Sequence, residues 1–144
     1  MLLANYAEAA PGGGTVHMIN GGWDTMNVRA PFEPPPGSST AVENAVTVLR
    51  GNLVVRILFH QTELARDRTL RLIIIDEDGQ EVGKIEGGFR AEPQPGHPAS
   101  WEQGVNLVFP LQGLPMPKFG LYRISVLVDE QHLGDREFRV LKLY

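Results

Sequence analysis

Apolar and polar side chains alternate through the C-terminal part of the chain. Val105, Leu107, Phe109 and Leu111 are apolar at odd positions, and Tyr122, Ile124, Val126 and Val128 at even ones. A period of two turns one face of each strand to a core and the other to water, which predicts antiparallel sheet rather than helix or buried parallel strand. The same spacing occurs earlier, with Leu53, Val55, Ile57 and Phe59 on one face and Leu70, Leu72 and Ile74 on another.

Residues 2–8 predict a first strand. Ala10-Pro11-Gly12-Gly13-Gly14 then supplies glycines for a reversal, and Val16 to Asn20 follows as hairpin partner. Gly21-Gly22 interrupts the pattern before Trp23 to Arg29, a further strand or a bulged continuation. Pro31 and Pro34-Pro35-Pro36, then Gly37-Ser38-Ser39, predict a polyproline-like connection between two sheets.

Two readings compete over residues 40–51. Thr40 with Glu43 fits a capping box, Val42, Ala45, Val46 and Leu49 share a helical face, and Gly51 is a stop signal. Against helix, Val46-Thr47-Val48 is β-branched, and Gly51-Asn52 reads as a hairpin turn into Leu53 to His60. Further on, the polar run Gln61 to Arg68 is expected to cross between sheets. Asp76-Glu77-Asp78-Gly79 closes a hairpin onto Val82 to Ala91, with a bulge at Gly83. A second proline-rich loop, Glu92 to Ser100, precedes the strands Val105–Leu111, Leu121–Val128 and Leu133–Leu141. Eight or nine short strands at this spacing predict an all-β chain: one antiparallel β-sandwich over residues 1–144, immunoglobulin-like or C2-like, with at most one short helix near residues 40–50.

Composition narrows the function classes. A net charge of −4, with Lys and Arg scattered, argues against a nucleic-acid partner. The absence of cysteine excludes disulfides, thiolate zinc sites, iron–sulfur centres and a cysteine nucleophile. Met1 to Glu8 lacks a basic leader, and no stretch approaches the roughly 18 apolar residues of a spanning helix, so a cytoplasmic protein with no membrane contact is expected.

No reactive constellation is evident. None of His17, His60, His97 and His132 lies within four residues of another, whereas catalytic zinc needs converging ligands and an open position, so no metal site is expected. Asp76, Glu77 and Asp78 could cage calcium with Asp129 and Glu130 if the two loops met, although Asp-Gly is also simple turn chemistry. The chain lacks GxSxG, a P-loop and a GxGxxG before a helix. Ser38, Ser39, Ser100 and Ser125 have no nearby His and Asp whose convergence the sequence supports. No catalytic residue and no cofactor is therefore assigned. Trp23, Trp101 and Tyr6 are the candidates for ligand or partner contact, because aromatics bury large area at low entropy cost; a tryptophan can equally plug the end of a small sandwich.

Leu3-Ala4-Asn5-Tyr6-Ala7-Glu8, Asn20-Gly21-Gly22-Trp23-Asp24, Asp76-Glu77-Asp78-Gly79, and Gly113-Leu114-Pro115-Met116-Pro117 through Gly120-Leu121-Tyr122-Arg123 together resemble a bacterial family of small stand-alone proteins of unknown function. The resemblance covers most of the chain and rests on turn and core signals. It implies a one-domain cytoplasmic β-sandwich and transfers no active site. Phe119 to Val126 is similar to the closing hairpin of immunoglobulin-like and fibronectin-like domains, which mostly bind, space or present.

The expected function is a non-enzymatic protein-interaction or structural module whose partner is a protein, a second copy of the chain included. Val54, Leu58, Ile73, Ile75, Leu127 and Leu141 support it, being apolar on faces that should be polar. The alternative is a small-ligand or carbohydrate-binding sandwich with Trp23, Trp101 and Tyr6 as stacking residues. A hydrolase ranks third and requires His60 or His132 within hydrogen-bond reach of a loop carboxylate.

Overall fold

A computed structural model describes residues 1–10, 15–29 and 32–143. Its strands are β1 (Leu2–Ala9), β2 (Val16–Gly21), β3 (Thr25–Arg29), β4 (Thr47–Val48), β5 (Asn52–Phe59), β6 (Asp67–Asp76), β7 (Glu81–Arg90), β8 (Gln103–Pro110), β9 (Pro115–Met116), β10 (Gly120–Val128) and β11 (Gln131–Leu143). One helical turn, α1 (Thr40–Glu43), precedes β4, and a 3-10 turn at Gln61–Glu63 follows β5. The strands form a four-stranded sheet in the order β2-β1-β5-β8, a five-stranded sheet in the order β3-β11-β10-β6-β7, and the small pair β4-β9. Residues 11–14 of the predicted reversal and Pro31 of the predicted polyproline-like connection lie outside the described residues.

The alternation read from the sequence sets which side chains are buried. Leu53, Val55, Ile57 and Phe59 of the first sheet join Leu72, Ile74, Ile124 and Val126 of the second in one apolar cluster. In the second sheet, Ile124 lies opposite Ile74 and Val126 opposite Leu72, the close cross-strand pairing that stabilises a pleated layer. The 61–63 turn carries the chain from the first sheet to the second, as its polarity predicted. On β7, Val82 is the unpaired residue between Gly83, opposite Ile74, and Glu81, opposite Ile75, which places the bulge beside Gly83 as expected.

Three expectations are corrected. The second sheet is mixed, because β3 runs parallel to β11 (Val140 opposite Met26). After β2 the chain turns through Asn20 (φ 51°) and Gly22 (φ 87°) and enters the other sheet beside the C-terminal strand instead of continuing in the first. Residues 40–51 are neither one helix nor a hairpin arm. α1 is a single turn capped by Ser39, whose Oγ accepts the Val42 N–H at 3.4 Å, so Thr40 is its first residue and not its cap. The β-branched residues then leave the helix for β4, which pairs with β9, while the Val46 and Leu49 amides donate to the carbonyls of Met116 and Leu114.

The third correction concerns the surplus apolar positions. Val54 is buried in a second cluster with Ala4 and Ala7, against which Val16 and Val108 pack. Ile73, Ile75 and Leu127 are half-buried, directly opposite Lys84, Arg123 and Arg71, whose long aliphatic stems suit them to cover such neighbours while the charges stay in water. Leu58 and Leu141 do remain exposed.

Candidate functional site

The switch of sheets between β2 and β3 opens a cleft of about 670 Å³. Its walls come from separated parts of the chain: Asn5 on β1, the Asn20-Gly21-Gly22-Trp23 segment, Thr25 and Asn27 on β3, and Arg50 just before β5. Trp23 is fixed edge-on against Phe138, with ring centroids 6.4 Å apart, and a Cβ at Gly51 would lie only 3.3 Å from its Cζ2. It is therefore half wall and half plug.

The cleft is rich in hydrogen-bond donors. No Asp or Glu lines it. Arg50 makes no ion pair among the described residues, and the Trp23 Nε1–H, fully buried, meets no acceptor there. Thr25 directs its hydroxyl away, donating to Asp24 Oδ1 at 2.9 Å. The side-chain amides of Asn5, Asn20 and Asn27 each offer both donors and an acceptor.

The three predicted contact residues do not converge. Trp101 is 62% exposed in the loop between β7 and β8, edge-on to His97 at 5.9 Å, and its carbonyl accepts from Gln61 Nε2. Gln61 follows β5 and Trp23 abuts Gly51 before it, so the two tryptophans sit at opposite ends of that strand, about 26 Å apart by its rise. Tyr6 is exposed on β1, outside the cleft lining, and its hydroxyl donates to Glu8 Oε2 at 2.9 Å. That bond and the Glu8 charge push the phenol pKa up.

The acidic loops do not meet either. Asp76 lies opposite Tyr122 and Thr69 binds Asp129 beyond Val128, so the two turns occupy opposite ends of β6 and cannot form one calcium cage. Asp76 Oδ1 accepts from the Asp78 and Gln80 amides, both at 2.9 Å, which with Lys118 holds its carboxyl below the usual range. Asp129 is held down by the Thr69 amide and Arg68. No group of three His, Cys, Asp or Glu side chains suited to a metal occurs among the described residues.

One polar cluster escaped the sequence reading. Asp135 Oδ1 accepts from Ser125 Oγ at 2.6 Å and lies 2.7 Å from His132 Nε2. His132 therefore lies within hydrogen-bond reach of a carboxylate, but one on strand β11 and not in a loop, whereas the closest His60–Glu102 approach is 3.8 Å. Its order is Ser to Asp to His: the carboxylate, not the imidazole, takes the serine hydrogen bond, whereas base activation of a serine needs the imidazole in that place. The i, i+3 spacing of His132 and Asp135 was a legible hint; Ser125 joins them only through the β10–β11 register. Asn5, Asn27 and Arg50 carried no such signal.

Two sheets around a common core, with one polar cleft where the chain changes sheets, define an all-β domain without a long apolar helix: among the described residues none is long and apolar enough to cross a membrane. The chain belongs to a family of unknown function, DUF6941, whose family model matches residues 1–141. No curated protein and no solved structure matches it.

Proposed function

We propose that this protein is a cytoplasmic, non-enzymatic interaction module, an immunoglobulin-like β-sandwich that self-associates through β2. Two features support the fold type. In β1-β5-β8 and β7-β6-β10-β11 the chain follows the A-B-E and C′-C-F-G strand orders of that fold. Tyr122, near the start of β10, also sends its hydroxyl back to the Lys118 carbonyl at 2.5 Å, in the manner of the tyrosine corner of such domains.

The observation that carries the interaction reading is the edge at β2. β5 pairs with β1 only over Leu2–Ala4, so beyond this β1 and β2 run on as a two-stranded ribbon. Five of the six β2 residues are exposed, Met18 and Ile19 among them at 42% and 59%. Sheet edges normally carry charge, proline or cover against pairing. β7 carries Glu81, Lys84, Glu86 and Arg90, β3 ends on Arg29, and β8 ends on Pro110 with Gln103 tied to Glu92 and Gln94. β2, Val-His-Met-Ile-Asn-Gly, has none of these. A second β2 running antiparallel about a two-fold axis satisfies its free backbone groups and opposes no like charges, the self-complementarity an isologous contact needs.

Sedimentation across a concentration series tests this. The wild type is expected to dimerise and Ile19→Lys to remain monomeric with an unchanged folded-state circular dichroism spectrum, its melting temperature losing the concentration dependence of the dimer. A wild type that stays monomeric at the highest attainable concentration refutes self-association.

A further inference from the structure

Independently of the β2 edge, we infer that the cleft between β2 and β3 is a binding site for a small polyhydroxylated anion, a sugar carrying a carboxylate or a phosphate. The donor balance sets the charge of the ligand. Arg50 has no ion-pair partner among the described residues, and no acidic side chain lines the cleft to supply one. A guanidinium without a protein carboxylate is free to take a planar oxyanion through two parallel hydrogen bonds, as both carboxylate and phosphate allow.

The rest of the lining sets the kind of molecule. Three amide side chains, those of Asn5, Asn20 and Asn27, make none of the hydrogen bonds found among the described residues, and each can donate to and accept from a hydroxyl. Trp23 adds an apolar wall that is already held in place by Phe138, so a ligand meets it without ordering cost. At about 670 Å³ the volume is in the range of small-molecule sites. A metal ion does not fit, for want of carboxylate and imidazole ligands. Arg50 also lines an adjoining groove with Arg29 and Glu33, and no ion pair joins Glu33 to either arginine. Arg29 and Glu33 thus add no net charge beside Arg50.

Saturation-transfer NMR and calorimetry with D-glucuronate, D-glucose 6-phosphate, D-glucose and inorganic phosphate test the proposal. One or both anionic sugars are expected to bind, and their comparison separates a carboxylate site from a phosphate site. D-glucose and inorganic phosphate are expected to bind at least about tenfold more weakly, since the anion and the hydroxyls act together. Arg50→Gln, at an exposed position, should cost about tenfold or more in affinity for the anionic sugar, and Asn27→Ala a smaller factor. No binding of either anionic sugar, equal binding of glucose, or unchanged affinity in both variants overturns it. Repeating the titration on Ile19→Lys keeps the two proposals apart: binding retained by that monomer supports the cleft whatever the oligomeric state.

Discussion

Tyr122 clasps Lys118 from four residues downstream: its hydroxyl donates to the Lys118 carbonyl at 2.5 Å and accepts the Lys118 amide at 3.1 Å. The ring itself is buried, stacked on Phe138 with centroids 5.4 Å apart. Tyr122→Phe keeps the stack and removes both polar contacts, leaving a Lys118 amide and carbonyl without partners. The expected cost is about 1–3 kcal/mol of stability in urea titration; a change within experimental error would mean that water replaces the clasp at no cost.

Asp76 ties the β6–β7 turn to the same region through Lys118, at 3.5 Å. Its folded-state pKa lies below the ordinary 3.8, chiefly through the Gln80 amide. The unfolded chain therefore takes up the proton first as pH falls, so the contribution to stability is complete above the ordinary value and is lost as pH drops through the lowered one. Asp76→Asn should flatten the acid side of the melting-temperature profile. If variant and wild type trace parallel curves down through that range, Asp76 is not a source of the acid sensitivity.

Gly51 has φ 117°, and a Cβ there would lie 2.5 Å from the Ala4 carbonyl oxygen, at the seam where β1 meets β5. Gly113 also has a positive φ, 87°, but open space around it. Gly113→Ala should cost about 1 kcal/mol for the backbone conformation alone, and Gly51→Ala about 3 kcal/mol or more, since backbone must also move. Equal denaturation midpoints for the two variants would contradict the close approach at Gly51.

The two tryptophans give a second contrast. Trp23→Ala is expected to cost about 3 kcal/mol, because it strips the contact with Phe138. Trp101→Ala should change stability by no more than about 0.5 kcal/mol at its exposed site. Acrylamide should quench the fluorescence of Trp101 in a Trp23→Phe variant far more strongly than that of Trp23 in Trp101→Phe, and similar quenching constants would reverse the assignment.

Strand order along the chain, the all-β class and the hairpin at Asp76-Glu77-Asp78-Gly79 were legible because they depend on local rules: side-chain period, β-branching and turn chemistry. The short α1 and the fate of residues 46–51 were not, since β4 exists only by pairing with β9, more than sixty residues away in the chain. The apolar residues Ile73, Ile75 and Leu127 look like an uncovered face in sequence, because cross-strand neighbours such as Lys84 and Arg123 are assigned by register alone.

The sequence by itself determined that this protein is built of strands with a buried and a wet face, since the period of two is fixed by the pleat of an extended backbone. Only the tertiary structure decided that β3 joins β11 in parallel, that Asp76 and Asp129 are kept apart, and that Asn5, Asn27 and Arg50 meet around Trp23. Those outcomes depend on which edges pair and in what register, and that choice is made by long-range burial shared between the two sheets rather than by any residue's neighbours in the chain.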